Sequence, residues 1–170
     1  MAGIHDAAGR GFETAAATYA KGRPDYPPDI QAWLGTILDL GPGRAVLDLG
    51  AGTGKFSRYL ARTGADVTAV EPVAAMRGQF AAALPAIPVL DGTAEAIPVE
   101  DGSLDAVVCA QAFHWFASAR ALAEIRRVLR PGGRLGLVWN VRDESVGWVK
   151  DISRALDPYE AGVPRFHSGE

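Results

Sequence analysis

The sequence has few of the residues that build disulfide frameworks, metal centres or membrane spans. Its 170 residues contain one cysteine, Cys109, and three histidines. One cysteine cannot form an internal disulfide, and His5, His114 and His167 are far apart without Cys or acidic ligand spacing around them, so no metal site is predicted. No apolar run reaches about 18 residues, and the amino terminus lacks the pattern of a signal peptide. We expect a cytoplasmic protein with no membrane partner.

An excess of charge of one sign is also missing. The formal net charge is -3 and the sequence pI is about 5.6. The densest basic group, Arg126, Arg127 and Arg130, lies within one amphipathic stretch, so nothing provides an electrostatic footprint for a phosphate backbone. Nucleic acid is therefore not expected as a partner. The 48% of hydrophobic residues is enough for a buried core in a single domain, residues 1–170.

Short β-branched runs alternate with stretches at helical spacing, which is typical of parallel βαβ units and predicts an α/β fold. Apolar residues recur at helical intervals before the first run and between the others, including the stripe Ala119, Leu122, Ile125 and Leu129. Helices should therefore cover both faces of the sheet. The predicted strands are Ala45 to Leu49, Asp66 to Val70, Pro88 to Leu90, Leu104 to Ala110 and Arg134 to Trp139.

Residues 1–28 are expected to form an arm with one helix to about Ala20, ended by a glycine and three prolines. Residues 29–140 form the core of the domain. Residues 141–170 contain one helical stretch. Pro131, Gly132 and Gly133 are expected to end the last core helix before strand five begins.

The stretch VLDLGAGTGKF, from Val46 to Phe56, places Gly50, Gly52 and Gly54 between a strand and a helix. Such a turn lets backbone approach a ligand closely, and the helix amino terminus presents unpaired N–H groups to it. A tight structural turn is the simpler alternative. The spacing fits neither the phosphate loop of nucleoside triphosphatases nor the dinucleotide fingerprint, whose third glycine would fall at Lys55.

The second strand ends at Val70, and Glu71 follows at once, 21 positions after Gly50. At that spacing a carboxylate at the tip of strand two can accept hydrogen bonds from both hydroxyls of a ribose. A solvated loop carboxylate is the alternative, and Pro72 weighs against it by fixing the backbone. A ligand that carries a ribose but no pyrophosphate is predicted.

The successive stretches VLDLGAGTGKFSRYLARTGADVTAVEP, GTAEAIPVEDGSLDAVVCAQAFHWF and IRRVLRPGGRLGLVWN resemble the motifs of class I S-adenosylmethionine-dependent methyltransferases. The chain is most similar to the methyltransferase type 11 group, which includes ubiquinone/menaquinone-biosynthesis and trans-aconitate methyltransferase-like proteins. The match runs from about Phe12 to Asn140. It implies a Rossmann-like, doubly wound, mostly parallel sheet and a methyltransferase that binds S-adenosyl-L-methionine and releases S-adenosyl-L-homocysteine.

The resemblance also implies roles for individual residues. Asp48 and the glycine turn would border the methionine moiety and ribose, Glu71 would hold the ribose hydroxyls, and Met76 would pack on the adenine. Thr93 stands where many relatives have Asp, so a hydroxyl, a backbone group or the nearby Asp91 would have to contact the adenine. The arm would close over the cofactor, with Arg23 pairing with the cofactor carboxylate and Tyr19 covering the site; ordinary surface packing of the arm is the alternative. The implied cofactor-binding residues are Tyr19, Arg23, Asp48, Gly50, Ala51, Gly52, Glu71, Pro72, Met76, Thr93, Ala94 and Gln111.

His114, within the FHWF stretch after strand four, is the candidate catalytic residue. Imidazole titrates near neutral pH and could act as general base toward a hydroxyl acceptor, whereas a carboxylate acceptor would need no base. Helix capping or packing is the structural alternative for His114. A small-molecule acceptor is favoured, because Cys109 lacks the Pro-Cys context of cytosine-5 DNA methyltransferases and the Asn-Pro-Pro-Tyr motif of amino-methylating DNA enzymes is missing.

Related sheets end in an antiparallel hairpin that this sequence lacks, so the chain is expected to be shortened at its carboxyl side. Strand five would then be an exposed edge, which predicts a homodimer or marginal stability. Two functions stay open at this point. One is a small-molecule methyltransferase, acting on O or less favourably on N or C; the other is a cofactor-binding module that acts in interaction or regulation.

Overall fold

The computed structural model describes residues 25–159. The predicted amino-terminal helix lies outside these residues, as do Tyr19 and Arg23. The helices are α1 (Ile30–Ile37), α2 (Ser57–Ala61), α3 (Ala74–Ala83), α4 (Ala119–Val128) and α5 (Gly147–Leu156), with 3-10 turns at Phe113–Trp115 and Asp157–Tyr159. The strands are β1 (Ala45–Leu49), β2 (Asp66–Val70), β3 (Val89–Leu90), β4 (Leu104–Ala110) and β5 (Leu129–Val138).

The five strands form one sheet in the order β3-β2-β1-β4-β5, and each of the four pairings is parallel. Asp48 of β1 lies opposite Ala69 of β2 on one side and Val108 of β4 on the other. The strand order reverses between β1 and β4. Ligands of open α/β sheets bind outside the carboxyl ends of the strands at such a reversal. The predicted doubly wound sheet is confirmed.

One face of the sheet is covered by α4. Ile125 and Val128 of this helix pack with Leu47 of β1 and the fully buried Cys109 of β4. The predicted stripe was wrong at three of its four positions, because Ala119 is exposed, Leu122 is 47% exposed and Leu129 already belongs to β5. The buried residues of α4 are instead Ala121, Ile125 and Val128, which are spaced i, i+4 and i+7 and so share one side of a helix.

The opposite face is covered by the first three helices. Leu34 of α1 and Leu60 of α2 pack with Val46 of β1, and Phe80 of α3 packs with Ala69 of β2. Successive residues of β1 therefore belong to different cores, as the two-residue period of a strand requires. Asp48 points to the same face as Val46, and it lies at 1% exposure.

Strand β5 begins earlier than predicted. Leu129 already pairs with Leu104, and after a register shift Arg134 pairs with Ala106. Residues 130–133 between these pairs form a bulge in the strand, with Gly132 at φ +82°. The Pro-Gly-Gly sequence was interpreted as the turn that ends α4, but α4 ends directly into paired strand. The turn residues serve the bulge, where glycine accepts the left-handed backbone.

Candidate cofactor and acceptor site

The three glycines form a turn at the carboxyl end of β1. Gly50, Gly52 and Gly54 have φ of +73°, +58° and +82°, a region in which glycine is favoured. Gly50 N–H donates to Val70 O at 2.9 Å. A Cβ on Gly50 would lie 2.8 Å from Ala112 Cβ, closer than such atoms can approach. The turn therefore combines backbone that only glycine adopts readily with close approach of the segment that follows β4.

Glu71 connects the end of β2 to this turn. Its side chain is buried, with the residue 5% exposed. Oε2 accepts from Gly52 N–H and Oε1 from Val73 N–H, both at 2.9 Å. Burial raises the pKa of this carboxyl, while the two amide hydrogen bonds oppose the shift. An ionised carboxylate has about four acceptor sites, so two amides leave capacity for further donors such as hydroxyl groups.

Asp48 lies beneath the turn. Ser57 Oγ–H, in the first turn of α2, donates to Asp48 Oδ2 at 2.5 Å. Within residues 25–159, Asp48 Oδ1 is buried and accepts no hydrogen bond. Burial, helped by the charge of Glu71, raises the pKa of Asp48 to about 7 against the opposing effect of Ser57. A buried acceptor atom that lacks a partner is costly unless a ligand or water supplies a donor.

The remaining predicted cofactor residues surround the turn at different depths. Ala51 is buried at 9% exposure, Met76 at 3% and Ala94 at 4%. A Cβ on Gly52 would lie 3.7 Å from Met76 Sδ, so this thioether faces the turn. Ala94 instead packs into the core under α4. Pro72 is half-buried between Glu71 and the start of α3.

The loop after β3 carries a half-buried Thr93 in an isolated bridge to Ala96. Asp91, the alternative to Thr93 for contact with an adenine, forms an ion pair with Arg77 at 3.0 Å. Arg77 also donates to the backbone O of Glu71 at 2.9 Å. Asp91 is therefore already engaged by a guanidinium that holds the end of β2.

The residues that follow β4 and β5 border the same site. Gln111 follows β4 with φ +57°, and its side-chain amide donates to Asn140 O at 3.5 Å. Trp139 Nε1–H donates to His114 Nδ1 at 3.3 Å. Phe116 of the same segment would lie 3.3 Å from a Cβ on Gly50. The segment that bears His114 therefore packs directly against the glycine turn.

Three contacts at this edge were not predicted from the sequence, although Trp139 and Asn140 were expected to lie near it at the end of strand five. Ser57 supports Asp48 from nine positions away, Arg77 holds the strand end behind Glu71, and the Trp139 hydrogen bond to His114 joins strands that are distant in sequence. Only the alternation of strands and helices could have indicated that β4 and β5 end side by side. Among residues 25–159, no group of three or more metal-ligating side chains is found, and no helix is long and apolar enough to cross a membrane.

Comparison with known proteins agrees with this geometry. A model of the methyltransferase domain family matches residues 47–137, which is more than half of the chain. The chain belongs to this family. Its fold is that of the class I S-adenosylmethionine-dependent methyltransferases, which confirms the resemblance seen in the sequence motifs.

Several similar proteins define the relationship further. The uncharacterized methyltransferase Rv3342 of Mycobacterium tuberculosis (strain ATCC 25618 / H37Rv) is 52% identical over 145 residues, covering 85% of this chain and 58% of that protein. A solved structure from Anaeromyxobacter dehalogenans, proposed to be a type II methyltransferase, has a TM-score of 0.65 at 34% identity, covering 81% of this chain and 59% of that one. The chain spans about three fifths of the length of the curated relatives it matches.

A structure from Methanococcus maripaludis, proposed to be an S-adenosyl-L-methionine-dependent methyltransferase, has a TM-score of 0.66 at 20% identity. The match covers 93% of this chain and 74% of the Methanococcus maripaludis chain. At that identity the likeness establishes the fold alone.

Proposed function

We propose that this chain is an S-adenosyl-L-methionine-dependent methyltransferase that acts on a small-molecule acceptor and releases S-adenosyl-L-homocysteine. The observation that carries the proposal is the Glu71 carboxylate, buried at the tip of β2 and hydrogen-bonded to Gly52 N–H at 2.9 Å. A carboxylate beside bare backbone at the strand-order reversal supports the binding of sugar hydroxyls there.

The residues of the site suit a nucleoside with a charged amino acid tail. Asp48 Oδ1 is buried and has no hydrogen-bond donor among residues 25–159. A cationic ligand nearby would stabilise the ionised form of the Asp48 carboxyl. Met76 Sδ faces the turn at Gly52 and offers a polarizable surface for a flat base. Glu71 would hold the ribose hydroxyls. Thr93 and Gln111 would border the base and the sulfonium end, with Tyr19 and Arg23 of the arm closing the site.

The bound cofactor supplies a methyl group on a cationic sulfur, so the activation is intrinsic to the cofactor. The protein has to orient the acceptor in line with that methyl group and exclude water. We assign both tasks to the FHWF segment, whose aromatic residues Phe113 and Phe116 meet edge to face with ring centroids 5.7 Å apart. Aromatic faces also attract a cation.

The proposed partner of this protein is a small molecule. The charge of the chain fits a metabolite rather than nucleic acid as acceptor, since the net charge is -3 and no basic surface is concentrated in the sequence. A membrane is likewise not part of the proposed reaction, which we assign to the cytoplasm. Two copies could associate through β5, whose Leu137 is 37% exposed.

The cofactor part of the proposal is tested by calorimetric titration with S-adenosyl-L-methionine and S-adenosyl-L-homocysteine. Glu71→Gln should weaken both by about ten- to hundredfold, because a hydrogen bond to a charged group is worth about 1.5–3 kcal/mol. Glu100→Gln changes an exposed carboxyl and should bind as wild type does. Equal affinities in wild type and Glu71→Gln, with matching melting temperatures, would contradict the assignment of Glu71.

The transfer part is tested separately. Labelled cofactor is incubated with a pool of small metabolites, and label is followed into the pool. Tight cofactor binding without any transfer would favour the interaction or regulatory module over the enzyme.

A further inference from the structure

A charged cavity lies at the amino ends of the central strands, on the opposite edge of the sheet from the glycine turn. Its volume is about 160 Å³, which is enough for several water molecules. The lining comes from the loop between α1 and β1, the start of β4 and the bulge of β5. The five residues of β1 span about 17 Å at the rise of a parallel strand, so this cavity is separate from the proposed cofactor site.

Three arginines meet at this cavity. Arg44 Nη1–H donates to Asp105 Oδ1 at 3.2 Å, and Arg130 Nη1–H donates to Oδ2 of the same carboxylate at 2.7 Å. Because the two guanidiniums share one carboxylate, they lie side by side. The third arginine, Arg134, donates through Nη1 to Ile37 O at the end of α1, at 2.9 Å. The fold therefore gathers arginines that are distant in sequence, which is why the sequence alone did not indicate a basic site.

The lining of the cavity carries more positive than negative charge. Arg44 also forms an ion pair with Asp39. Ala45 N–H donates to Asp105 Oδ2 at 2.8 Å, and this bond, together with Arg130 and Arg44, holds the pKa of Asp105 below its usual range. Asp105 is therefore ionised at neutral pH. Three guanidiniums against two carboxylates leave an excess of one positive charge in the lining, and an anion would reduce the repulsion between the arginines.

The three guanidiniums also have N–H donors to spare. Each guanidinium carries five N–H groups in a planar fork. Within residues 25–159, each carboxylate contact of these arginines uses a single nitrogen, so no two N–H groups of one arginine hold the same carboxylate. Exposed ion pairs of this kind contribute little to stability, so stability alone does not account for the clustering of three arginines. A phosphate or carboxylate group matches the open forks, because a guanidinium binds two of its oxygens in parallel.

We propose that this cavity binds an oxyanion, the phosphate or carboxylate group of a small molecule, between Arg44, Arg130 and Arg134. The side chains of Arg44 and Arg130 are 44% and 46% exposed, so the anion reaches them from solvent. Asp105, whose side chain is 13% exposed, holds these two guanidiniums in place from the inner side of the cavity. The site does not depend on the proposed methyltransferase reaction, and loss of cofactor binding would leave it intact.

The site is tested with inorganic phosphate, titrated at about pH 7 into the full chain while sodium chloride is withdrawn to keep the ionic strength constant. The readout is the pair of backbone amide signals of Gly132 and Gly133, which line the cavity, in proton–nitrogen correlation spectra. We expect shifts that saturate at millimolar phosphate. Acetate, titrated in the same way, distinguishes the two sources, because the ion that saturates the shifts at lower concentration carries the group that the site prefers. Shifts that fail to appear or to saturate with both ions overturn the proposal.

Two substitutions should change the phosphate affinity in opposite directions. Arg130→Gln removes one guanidinium and should weaken binding by about tenfold, since a hydrogen bond between charged groups is lost. Asp39→Asn removes a negative charge from the lining and should strengthen binding by about threefold; asparagine tolerates the left-handed backbone of this position, φ +55°. Arg126→Gln is the matched control, because it removes the same charge from an exposed position outside the cavity, and its affinity should equal that of wild type. Equal weakening in Arg126→Gln and Arg130→Gln, or an Asp39→Asn protein that binds no more tightly than wild type, overturns the proposal.

Arg134→Gln guards against a variant that disturbs the fold. It leaves Asp105 with both of its arginines and should also weaken phosphate binding, by about threefold to tenfold. The amide spectrum away from the cavity should match wild type in each variant, which shows that the sheet is intact. If Arg130→Gln changes that spectrum, Arg134→Gln takes its place in the comparison, and an unchanged phosphate affinity in Arg134→Gln overturns the proposal.

Discussion

The buried carboxyl of Asp48 should lower the free energy of unfolding of this protein as pH rises, and the substitution Asp48→Asn should remove this dependence. The pKa of Asp48 is raised from 3.8 to about 7 in the folded state, chiefly by burial. Between these two values the folded protein holds a proton that the unfolded chain releases, so the free energy of unfolding falls as pH rises. The stabilising effect of the proton is complete below about pH 4 and is lost as pH passes about 7.

Asp48→Asn keeps the shape of the side chain and removes the titration. Between about pH 5 and the folded-state pKa of about 7, each pH unit is worth about 1.4 kcal/mol. The free energy of unfolding of the variant should therefore rise relative to wild type by about 3 kcal/mol between about pH 5 and pH 8. Any constant difference between amide and carboxyl, for example toward Ser57, does not depend on pH and cancels in this comparison.

The assay is denaturant unfolding followed by circular dichroism at about pH 5 and pH 8, analysed where the transition is two-state. Asp66→Asn is the control variant, because Asp66 belongs to the same sheet and is exposed. A difference between Asp48→Asn and wild type that stays constant over this range would refute the buried, proton-holding state of Asp48.

Three further predictions follow from the fold. Gly50→Ala should destabilise the protein by about 1–3 kcal/mol in denaturant titration, because the new Cβ would lie 2.8 Å from Ala112 Cβ at φ +73°. Gly35→Ala is the comparison, since nothing lies within 4 Å of a Cβ there, and it should stabilise α1 by up to about 1 kcal/mol. A Gly50→Ala protein more stable than Gly35→Ala would refute the packing argument. Ser118→Ala should cost about 1 kcal/mol, since Ser118 Oγ accepts from Ala121 N–H at the start of α4; an unchanged melting curve would show that the cap contributes nothing. Leu137→Lys on β5 should shift sedimentation toward monomer if copies pair at this edge, whereas a cooperative, stable monomer in wild type would contradict both the dimer and the marginal stability.

The sequence predicted the parts of the fold that depend on local pattern. Three of the five strands, Ala45–Leu49, Asp66–Val70 and Leu104–Ala110, have the predicted bounds, because parallel strands buried on both faces are nearly continuous apolar runs. Strand β3 begins at Val89 rather than Pro88, since proline has no N–H for the sheet. Strand β5 was missed over its first part because the glycines of a bulge and those of a turn carry the same local signal.

The part of the candidate site that lies in short sequence motifs could be predicted. The 21 positions from Gly50 to Glu71 indicated that the acid meets the glycine turn, and the carboxylate accepts from Gly52 N–H. Whether it holds a ribose stays a prediction, as do the roles of the other cofactor residues. The hydrogen bond between Trp139 and His114 could not be predicted, because the two residues are 25 positions apart and meet only through the pairing of β4 with β5.

The single thiol of the chain has a practical consequence. Cys109 has no exposed surface, and burial raises the pKa of its thiol, so the reactive thiolate is suppressed in the native sheet. Alkylating reagents should reach it only when the central strands separate. The rate of labelling, followed by mass spectrometry, therefore measures how often the sheet opens in the unmodified protein. If an added ligand slows the labelling, the decrease in rate gives the free energy of ligand binding, and the reaction that the protein catalyses need not be known.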